Sequence, residues 1–282
     1  MPPRSYPTAR QRRLGAELRK LREHAGMTAR EAGERLGGNQ AQISHIESGR
    51  WGVSGDRVRI LTSHYSAGNA DLVAALVGMA DERGKGWWDE YREALPADFR
   101  DIAELEHHAT LMRTVQTVTV PGIFQTEDYA RAMFAAVVPP LPSEEIGSRI
   151  EHRVRRRVVF EREAPLPFSA IIHEAALRMR FGGRKVAREQ LDFLSTASEW
   201  DSVTIRVIPF TSELAVSAQG MLYACGAVPE LDTVQLDSVA GSVFLDAEAQ
   251  LDKYRVIYAA VEGMALDIGK SRDLIHHIAQ EL

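Results

Sequence analysis

Residues 28–50 contain two short segments that each begin with a helix-capping residue, and a pair of glycines at 37–38 separates them. The first begins at Thr28 and has Glu31 three residues later, which is the pattern of a capping box at a helix N-terminus. The second begins at Asn39, whose side chain can accept a hydrogen bond from a free backbone N–H of the first turn. Two short helices joined by a glycine-containing turn are typical of a helix-turn-helix, so we expect a small helical domain here.

The second segment predicts a helix with one buried and one exposed face. Ile43 and Ile46 are three residues apart, so they share a side that can be buried. The opposite face is polar or small and carries no carboxylate, and it consists of Gln40, Ala41, Ser44, His45 and Ser48. Hydroxyl, amide and imidazole groups can hydrogen-bond to base edges. An ordinary amphipathic helix with a solvent-facing polar side would show the same pattern, so the choice between the two interpretations depends on the neighbouring segments.

Further helical segments surround this pair. Apolar residues spaced by four, three and four predict a first helix over 10–25. Downstream, a fourth helix is expected around 58–65 and a fifth over 70–82. Five short helices in this length are compatible with one all-α domain. We therefore expect an all-α five-helix domain at residues 1–82 and a second domain at 84–282.

Residues 18–50, LRKLREHAGMTAREAGERLGGNQAQISHIESGR, resemble the XRE family, which is the Cro and phage-repressor type of helix-turn-helix. The resemblance implies that the helix over 39–48 enters the major groove of double-stranded DNA. It also implies a structural ion pair between Arg22 of the first helix and Glu47. The side chains that it places against the bases are Gln40, Ala41, Ser44 and His45.

The phosphate contacts depart from the family pattern at one position. The family usually has a Gln that touches a phosphate where this chain has Ala29. We predict that Arg30, Asn39 and Arg50 contact phosphates instead. The stretch 4–13 has four arginines and no acidic residue, so it is either a disordered arm that contacts phosphates or a solvated terminus.

The charge distribution agrees with a DNA-binding N-terminal domain. Residues 1–80 have 12 Lys and Arg against 7 Asp and Glu, which is a net charge of +5. The rest of the chain has 22 of the 34 basic and 32 of the 39 acidic residues, which is a net charge of −10. A basic N-terminal part on an acidic remainder is expected when only the first part binds a polyanion.

The segments after residue 84 alternate between strand-like and helical periodicity. Strands are predicted over 113–121, 167–174, 203–210, 220–227, 233–238 and 241–246. Helices are predicted over 98–112, 126–138, 142–163, 184–200, 248–262 and 270–282. This mixture indicates an α+β domain with a mostly antiparallel sheet of about five strands.

Nearly all of 84–282 carries a second resemblance. The motifs that carry it, in chain order, are GWWDEY, VPGIFQTEDYARAMF, IIHEAALR, VIPF and KSRDLIHHIA. They are similar to those of actinomycete antitoxin-like regulators, which join an N-terminal XRE domain to a C-terminal domain of unknown function. Such regulators are often encoded beside a very small protein, so the resemblance implies control through protein–protein contact.

Two features of the second domain leave alternatives open. Trp87 and Trp88 could form a ligand platform or a packing anchor beside the domain boundary. Arg149, Arg153 and Arg156 share one face of the predicted helix over 142–163. That face could be solvated, or it could dock an acidic partner or contact DNA a second time.

The chain shows no motif for catalysis, a metal or a cofactor. It has no zinc-protease helix motif, phosphate loop, dinucleotide fingerprint or G-x-S-x-G, so we expect no enzyme, no catalytic residue, no cofactor and no metal site. Its one cysteine, Cys225, is consistent with the reducing cytoplasm. No signal peptide and no apolar run near 18 residues is present, so we predict a cytoplasmic protein without membrane contact.

These patterns together predict a sequence-specific transcriptional regulator. We expect a homodimer on a pseudo-palindromic operator, because two recognition helices then enter successive major grooves. The second domain is expected to bind a small co-encoded protein or another effector. Two alternatives stay open at this point. One is an antitoxin-like protein that mainly sequesters its small partner and uses DNA binding for autoregulation, and the other is a domain that senses a small molecule in a cavity.

Overall fold

The computed structural model describes residues 6–82, 84–213, 220–238 and 241–282. We call the described residues up to 82 the head and those from 84 onward the body. The head consists of five helices: α1 (Ala9–His24), α2 (Ala29–Arg35), α3 (Gln40–Glu47), α4 (Gly55–His64) and α5 (Ala70–Asp81). This confirms the predicted helical N-terminal region with its helix-turn-helix. Gly37, in the turn between α2 and α3, has a φ of +72°, which a glycine adopts without strain.

The first helix begins at Ala9, one residue before its predicted start at 10. Thr8 caps α1, since its hydroxyl accepts from the Gln11 backbone N–H while the Gln11 side chain accepts from the Thr8 N–H. Residues 9–13 of the predicted arm are therefore helical. They form neither a free arm nor a solvated terminus, and Arg4 and Ser5 lie outside the described residues.

The head packs around a core that also receives one side chain from the body. Leu18, Ile46, Val58 and Leu76 are almost completely buried together in this core. Leu231, far along the chain in the body, packs into the same cluster. Burial of apolar surface across the boundary stabilises the contact between head and body. The division of the chain between 82 and 84 stays a prediction.

The body is built on one six-stranded sheet. Its strands are β1 (Leu111–Gln116), β2 (Phe168–His173), β3 (Val203–Ile208), β4 (Met221–Cys225), β5 (Thr233–Ser238) and β6 (Gly241–Leu245). Their order in the sheet is β3-β2-β1-β4-β5-β6. The pairs β1–β2 and β2–β3 are parallel, and the other three pairs are antiparallel. The predicted α+β class and the mostly antiparallel character hold, but the sheet is mixed and has six strands instead of about five.

Helices cover both faces of the sheet. The remaining helices are α6 (Ala97–His108), α7 (Glu127–Ala135), α8 (Ser143–Arg155), α9 (Glu174–Arg178), α10 (Arg184–Ala197), α11 (Glu248–Met264) and α12 (Ile268–Glu281). Met112 and Ile172 pack with residues of α10 and α12 on one face, and Val115 and Ile171 pack with Tyr258 of α11 on the other. Strands buried on both faces are typical of parallel pairing with helical crossovers.

Several predicted elements of the body end earlier than expected. The long helix over 142–163 ends at Arg155 and continues as a 3-10 turn over Arg156–Phe160. The strand expected over 113–121 ends at Gln116. Among the described residues, no helix combines the length and the apolar character that crossing a lipid bilayer requires.

Candidate DNA-binding surface

Helix α3 presents a small polar face to solvent. Asn39 caps it, with its Oδ1 3.0 Å from the backbone nitrogen of Gln42. Ile43 and Ile46 are buried in the head, as their spacing predicts. Gln40, Ala41 and Ser44, three of the four predicted base-reading residues, are exposed on the other side. This face is short and free of carboxylates, which suits insertion into a major groove.

His45, the fourth predicted base-reading residue, is only partly exposed because an aromatic ring covers it. Its imidazole stacks on the indole of Trp51, with the ring centroids 5.0 Å apart and the planes inclined by 28°. The backbone N–H of Trp51 also donates to the carbonyl oxygen of His45, at 3.0 Å. The stack limits the rotamers of His45 and so orients it. The sequence patterns missed Trp51, since a lone Trp after the helix has no periodicity to mark it.

A bidentate ion pair anchors the end of α3 to α1. Nε and Nη2 of Arg22 lie 2.5 and 3.0 Å from the two carboxylate oxygens of Glu47, and both side chains are over nine-tenths buried. Nη1 of Arg22 donates to the carbonyl oxygen of Met27, at 2.7 Å. The hydrogen bonds to Glu47 are the main cause that raises the pKa of Arg22 above its ordinary value. The pair therefore neutralises Glu47, whose charge would otherwise repel phosphates. It also fixes the C-terminal end of α3 against α1.

Close backbone contact between α1 and α3 depends on two glycines. A Cβ at Gly15 of α1 would lie 2.4 Å from the carbonyl oxygen of Glu47. A Cβ at Gly49, just after α3, would lie 2.8 Å from the carbonyl oxygen of Gln11, and Gly49 has a φ of +71°. Both positions thus exclude larger residues, and α3 rests directly on the backbone of α1.

The three predicted phosphate-contacting residues differ in their surroundings. Arg50 is exposed at the C-terminal end of α3. Arg30 is exposed on α2 but pairs with Glu34, with Nε 3.0 Å from the carboxylate oxygen. Asn39 is exposed; its side-chain oxygen accepts the cap hydrogen bond, and its amide N–H groups can donate to a phosphate oxygen.

Two arginines of α1, Arg12 and Arg13, bind the body instead of lying free for DNA. Nη1 of Arg13 lies 3.0 Å from the carbonyl oxygen of Asp232, and Nη2 donates to the carbonyl oxygen of Glu230. Nη2 of Arg12 lies 3.0 Å from a carboxylate oxygen of Asp101 in α6. The basic stretch at the N-terminus therefore joins the two parts of the molecule.

The three arginines predicted to share one face, Arg149, Arg153 and Arg156, also turn inward, away from a second DNA contact. Nη1 of Arg153 donates to the side-chain oxygen of Gln125, at 2.6 Å. Nε of Arg156 lies 2.7 Å from Glu106, whose carboxylate is completely buried. The guanidinium of Arg149 lies over Phe99, at 4.8 Å from the ring centroid. These side chains form neither a solvated face nor a docking strip, because they hold this helical segment against the rest of the body.

The tryptophan pair packs inside the body next to the boundary. Trp88 is buried and contacts the His107 ring, with the centroids 5.0 Å apart. The Trp87 ring contacts His152, with the centroids 5.1 Å apart. This arrangement agrees with a packing anchor. The two rings do not form a free pair that could act as a ligand platform.

Comparison with protein families finds a match for each part of the chain. Residues 13–76 match the model of a helix-turn-helix domain. Residues 99–277, more than half of the chain, match the model of a domain of unknown function, DUF5753. Comparison with curated proteins and with solved structures gives no match. The chain therefore belongs to the DUF5753 family and carries a helix-turn-helix domain ahead of that domain.

Proposed function

We propose that the protein is a transcriptional regulator that binds specific double-stranded DNA through α3. The observation that carries the proposal is the exposed face of Gln40, Ala41 and Ser44 on a capped helix whose other end is held by Arg22 and Glu47. The match of the head to a helix-turn-helix model supports it. The net charge of +5 over residues 1–80 adds attraction to the phosphate backbone. A protein with this role acts where the DNA is, so we place it in the cytoplasm.

The test of base reading starts from an operator selected from random duplexes with the full chain. Binding is measured by fluorescence anisotropy for the operator and for a scrambled duplex. Gln40→Ala should weaken operator binding by roughly 1–3 kcal/mol and leave the scrambled duplex unchanged. Gln280→Ala, an exposed Gln on α12, is the matched control and should change neither. An equal loss on both duplexes for Gln40→Ala would refute its role in reading bases.

Phosphate binding is tested by the salt dependence of the same complex. Arg50→Ala should weaken the operator and the scrambled duplex alike, and it should reduce the slope of log affinity against log salt by about 1. Arg188→Ala removes the same charge from an exposed position on the body and should leave the slope unchanged. Equal slopes for wild type and Arg50→Ala would exclude Arg50 from the phosphate contacts.

The homodimer on a pseudo-palindromic operator is part of this proposal. Strand β6 lies at the end of the sheet order, and Val243 in it is 46% exposed, so a second copy can add its own β6 there. Val243→Lys should shift the protein toward monomer in sedimentation experiments. Val256→Lys, on α11, changes a Val that is 70% exposed and should keep the dimer. A wild type that stays monomeric at micromolar concentration contradicts the dimer.

We also assign the body a binding role without catalysis, with a small co-encoded protein as its partner. Large apolar side chains of the body that are exposed, and so available to such a protein, include Val118, Met179 and Phe210. The partner should change operator affinity by a coupling of about 1–3 kcal/mol. The test adds the product of a neighbouring small gene to the labelled operator complex. Saturating partner with unchanged operator affinity would favour the antitoxin-like role, in which sequestration is the main task.

A further inference from the structure

A cavity of about 520 Å³ lies between the head and the body, and we call it the interdomain cavity. Helices α1 and α5 border it on the head side, and α6 with strands β4 to β6 border it on the body side. Its volume is within the range of small-molecule pockets, about 300–1,000 Å³. Much of its wall is apolar and includes Met79, Leu105, Leu231 and Phe244. Such a wall accommodates the hydrocarbon or aromatic part of a ligand.

The polar part of the interdomain cavity has an excess of negative charge. Two arginines line it, and both already have carboxylate partners. Nη2 of Arg10 lies 2.6 Å from Glu82, and Nε of Arg13 lies 2.8 Å from Glu17. The carboxylates in the wall are Asp81, Glu82, Asp101, Glu104 and Asp246. Two arginines face five carboxyl groups, so the cavity favours a positively charged group over a negative one.

Among the carboxylates of this wall, Asp81 accepts from the backbone N–H of Gly55 at 2.8 Å, whereas Glu104 has neither such a bond to Oε2 nor an ion-pair partner among the described residues. By contrast, its neighbour Asp101 has Arg12 at 3.0 Å and the backbone N–H of Ala9 at 2.9 Å. The Thr8 hydroxyl supports Glu104, but the Oε2 atom is buried and has no hydrogen-bond partner within the described part of the chain. Burial is the main cause that raises the pKa of Glu104 to about 7. A cation beside Oε2 would supply the missing partner and stabilise the charged form.

We propose that the interdomain cavity binds a small amphipathic cation, which is an organic amine with an apolar group. The ammonium pairs with Glu104, and the apolar group packs against Met79 and Leu105. Because the ligand contacts α5 of the head and α6 of the body at once, its binding changes the position of the head relative to the body. The regulatory consequence rests on the proposed DNA binding, whereas ligand binding itself does not.

The first experiment titrates the full chain with tryptamine by isothermal calorimetry. Tryptophol and indole-3-acetate have similar shapes with a neutral and a negative group. Tryptamine should bind at least about tenfold more tightly than either, and Glu104→Gln should remove that preference. Glu144→Gln, at an exposed site on α8, is the matched control and should keep it. No binding of tryptamine at millimolar concentration, or equal binding of tryptophol, would overturn the proposal.

Proton release distinguishes an ion pair with Glu104 from a purely apolar contact. At about pH 6.5 the free carboxyl is mostly protonated and loses its proton when the ammonium binds, so binding should release roughly half a proton or more. Calorimetry in buffers of different ionisation enthalpy measures this number. Glu104→Gln should release none. Wild type that binds tryptamine without proton release would exclude Glu104 as the partner of the ammonium.

Cys225, the one cysteine of the chain, lines the interdomain cavity and reports on its occupancy. Saturating tryptamine should slow the alkylation of Cys225 by N-ethylmaleimide, whereas tryptophol at the same concentration should not. Binding by calorimetry with unchanged alkylation would place the amine elsewhere and overturn the proposal. Operator binding without any amine is measured in parallel, so a failure of DNA binding is recognised separately from a failure of the ligand site.

Discussion

Arg13 of α1 donates from Nη1 to the carbonyl oxygen of Asp232 in the body, at 3.0 Å, and its side chain is buried at the boundary. Gly15, two residues further along α1, lies against the carbonyl oxygen of Glu47 at the end of α3. At 100° per residue these two positions are about 200° apart, on nearly opposite sides of the helix. Helix α1 therefore lies between the recognition helix and the body, so a change at the boundary has a direct path to α3.

The first prediction concerns the contact between Arg13 and the body. Arg13→Ala should lower the free energy of unfolding by about 2–4 kcal/mol, because it leaves the buried Glu17 with one cation fewer and the Asp232 carbonyl oxygen with one donor fewer. Urea unfolding at constant pH measures the change. Arg19→Ala removes the same charge from an exposed position on α1 and should have little effect. Similar losses for both variants would contradict the role given to Arg13.

Two glycine substitutions should have opposite signs. Gly15→Ala should destabilise the protein by at least about 1–3 kcal/mol, since the added methyl group would overlap the backbone of Glu47 and push α3 away from α1. Gly147→Ala, inside α8 at an exposed position with open space around it, should stabilise it by about 0.5–1 kcal/mol. Thermal unfolding and operator binding are measured for both variants. A well-tolerated Gly15→Ala would show that α1 and α3 are not in this close contact.

The third prediction concerns pH. Burial raises the pKa of Glu104 from 4.5 to about 7, so the folded protein binds this proton more tightly than the unfolded chain does. The contribution of Glu104 to stability is therefore fully present below about pH 4.5 and is lost as the pH rises toward about 7. Glu104→Gln removes this dependence and should be more stable than wild type above pH 7, by up to about 3 kcal/mol.

The measurement for Glu104 is the difference between the unfolding free energies of Glu104→Gln and wild type at several pH values. Other titrating groups are common to both proteins and cancel in the difference. Glu144→Gln, at an exposed site on α8, should show no such trend. A difference that stays constant between about pH 5 and 8 would mean that Glu104 titrates normally in the folded protein.

The fourth prediction concerns the stack of Trp51 on His45. Trp51→Leu keeps an apolar side chain but removes the ring that orients the imidazole. Operator affinity should fall by about 1 kcal/mol, roughly fivefold, while binding to a scrambled duplex stays constant. A parallel unfolding measurement shows whether both proteins are fully folded in the assay. Operator binding equal to that of wild type would show that His45 needs no orientation by Trp51.

The sequence by itself was enough for the helix-turn-helix, because the interactions that form it are local. The caps at Thr28 and Asn39, the glycine turn at 37–38 and the spacing of Ile43 and Ile46 all act within a few residues of each other. The same local periodicity predicts all six strands, although the expected sheet has about five. Composition and periodicity therefore predicted the α+β class as well.

Only the tertiary structure decided how distant segments meet. Strand periodicity is the same for either direction of pairing, so the parallel order of β1, β2 and β3 depends on the crossover helices between them. A basic stretch such as 4–13 is attracted to phosphates and to carboxylates alike. In the folded protein the body supplies the partners: Asp101 for Arg12 and the Asp232 carbonyl oxygen for Arg13. Such contacts join residues separated by about a hundred positions or more, and no local pattern encodes them, because each residue type is compatible with many partners.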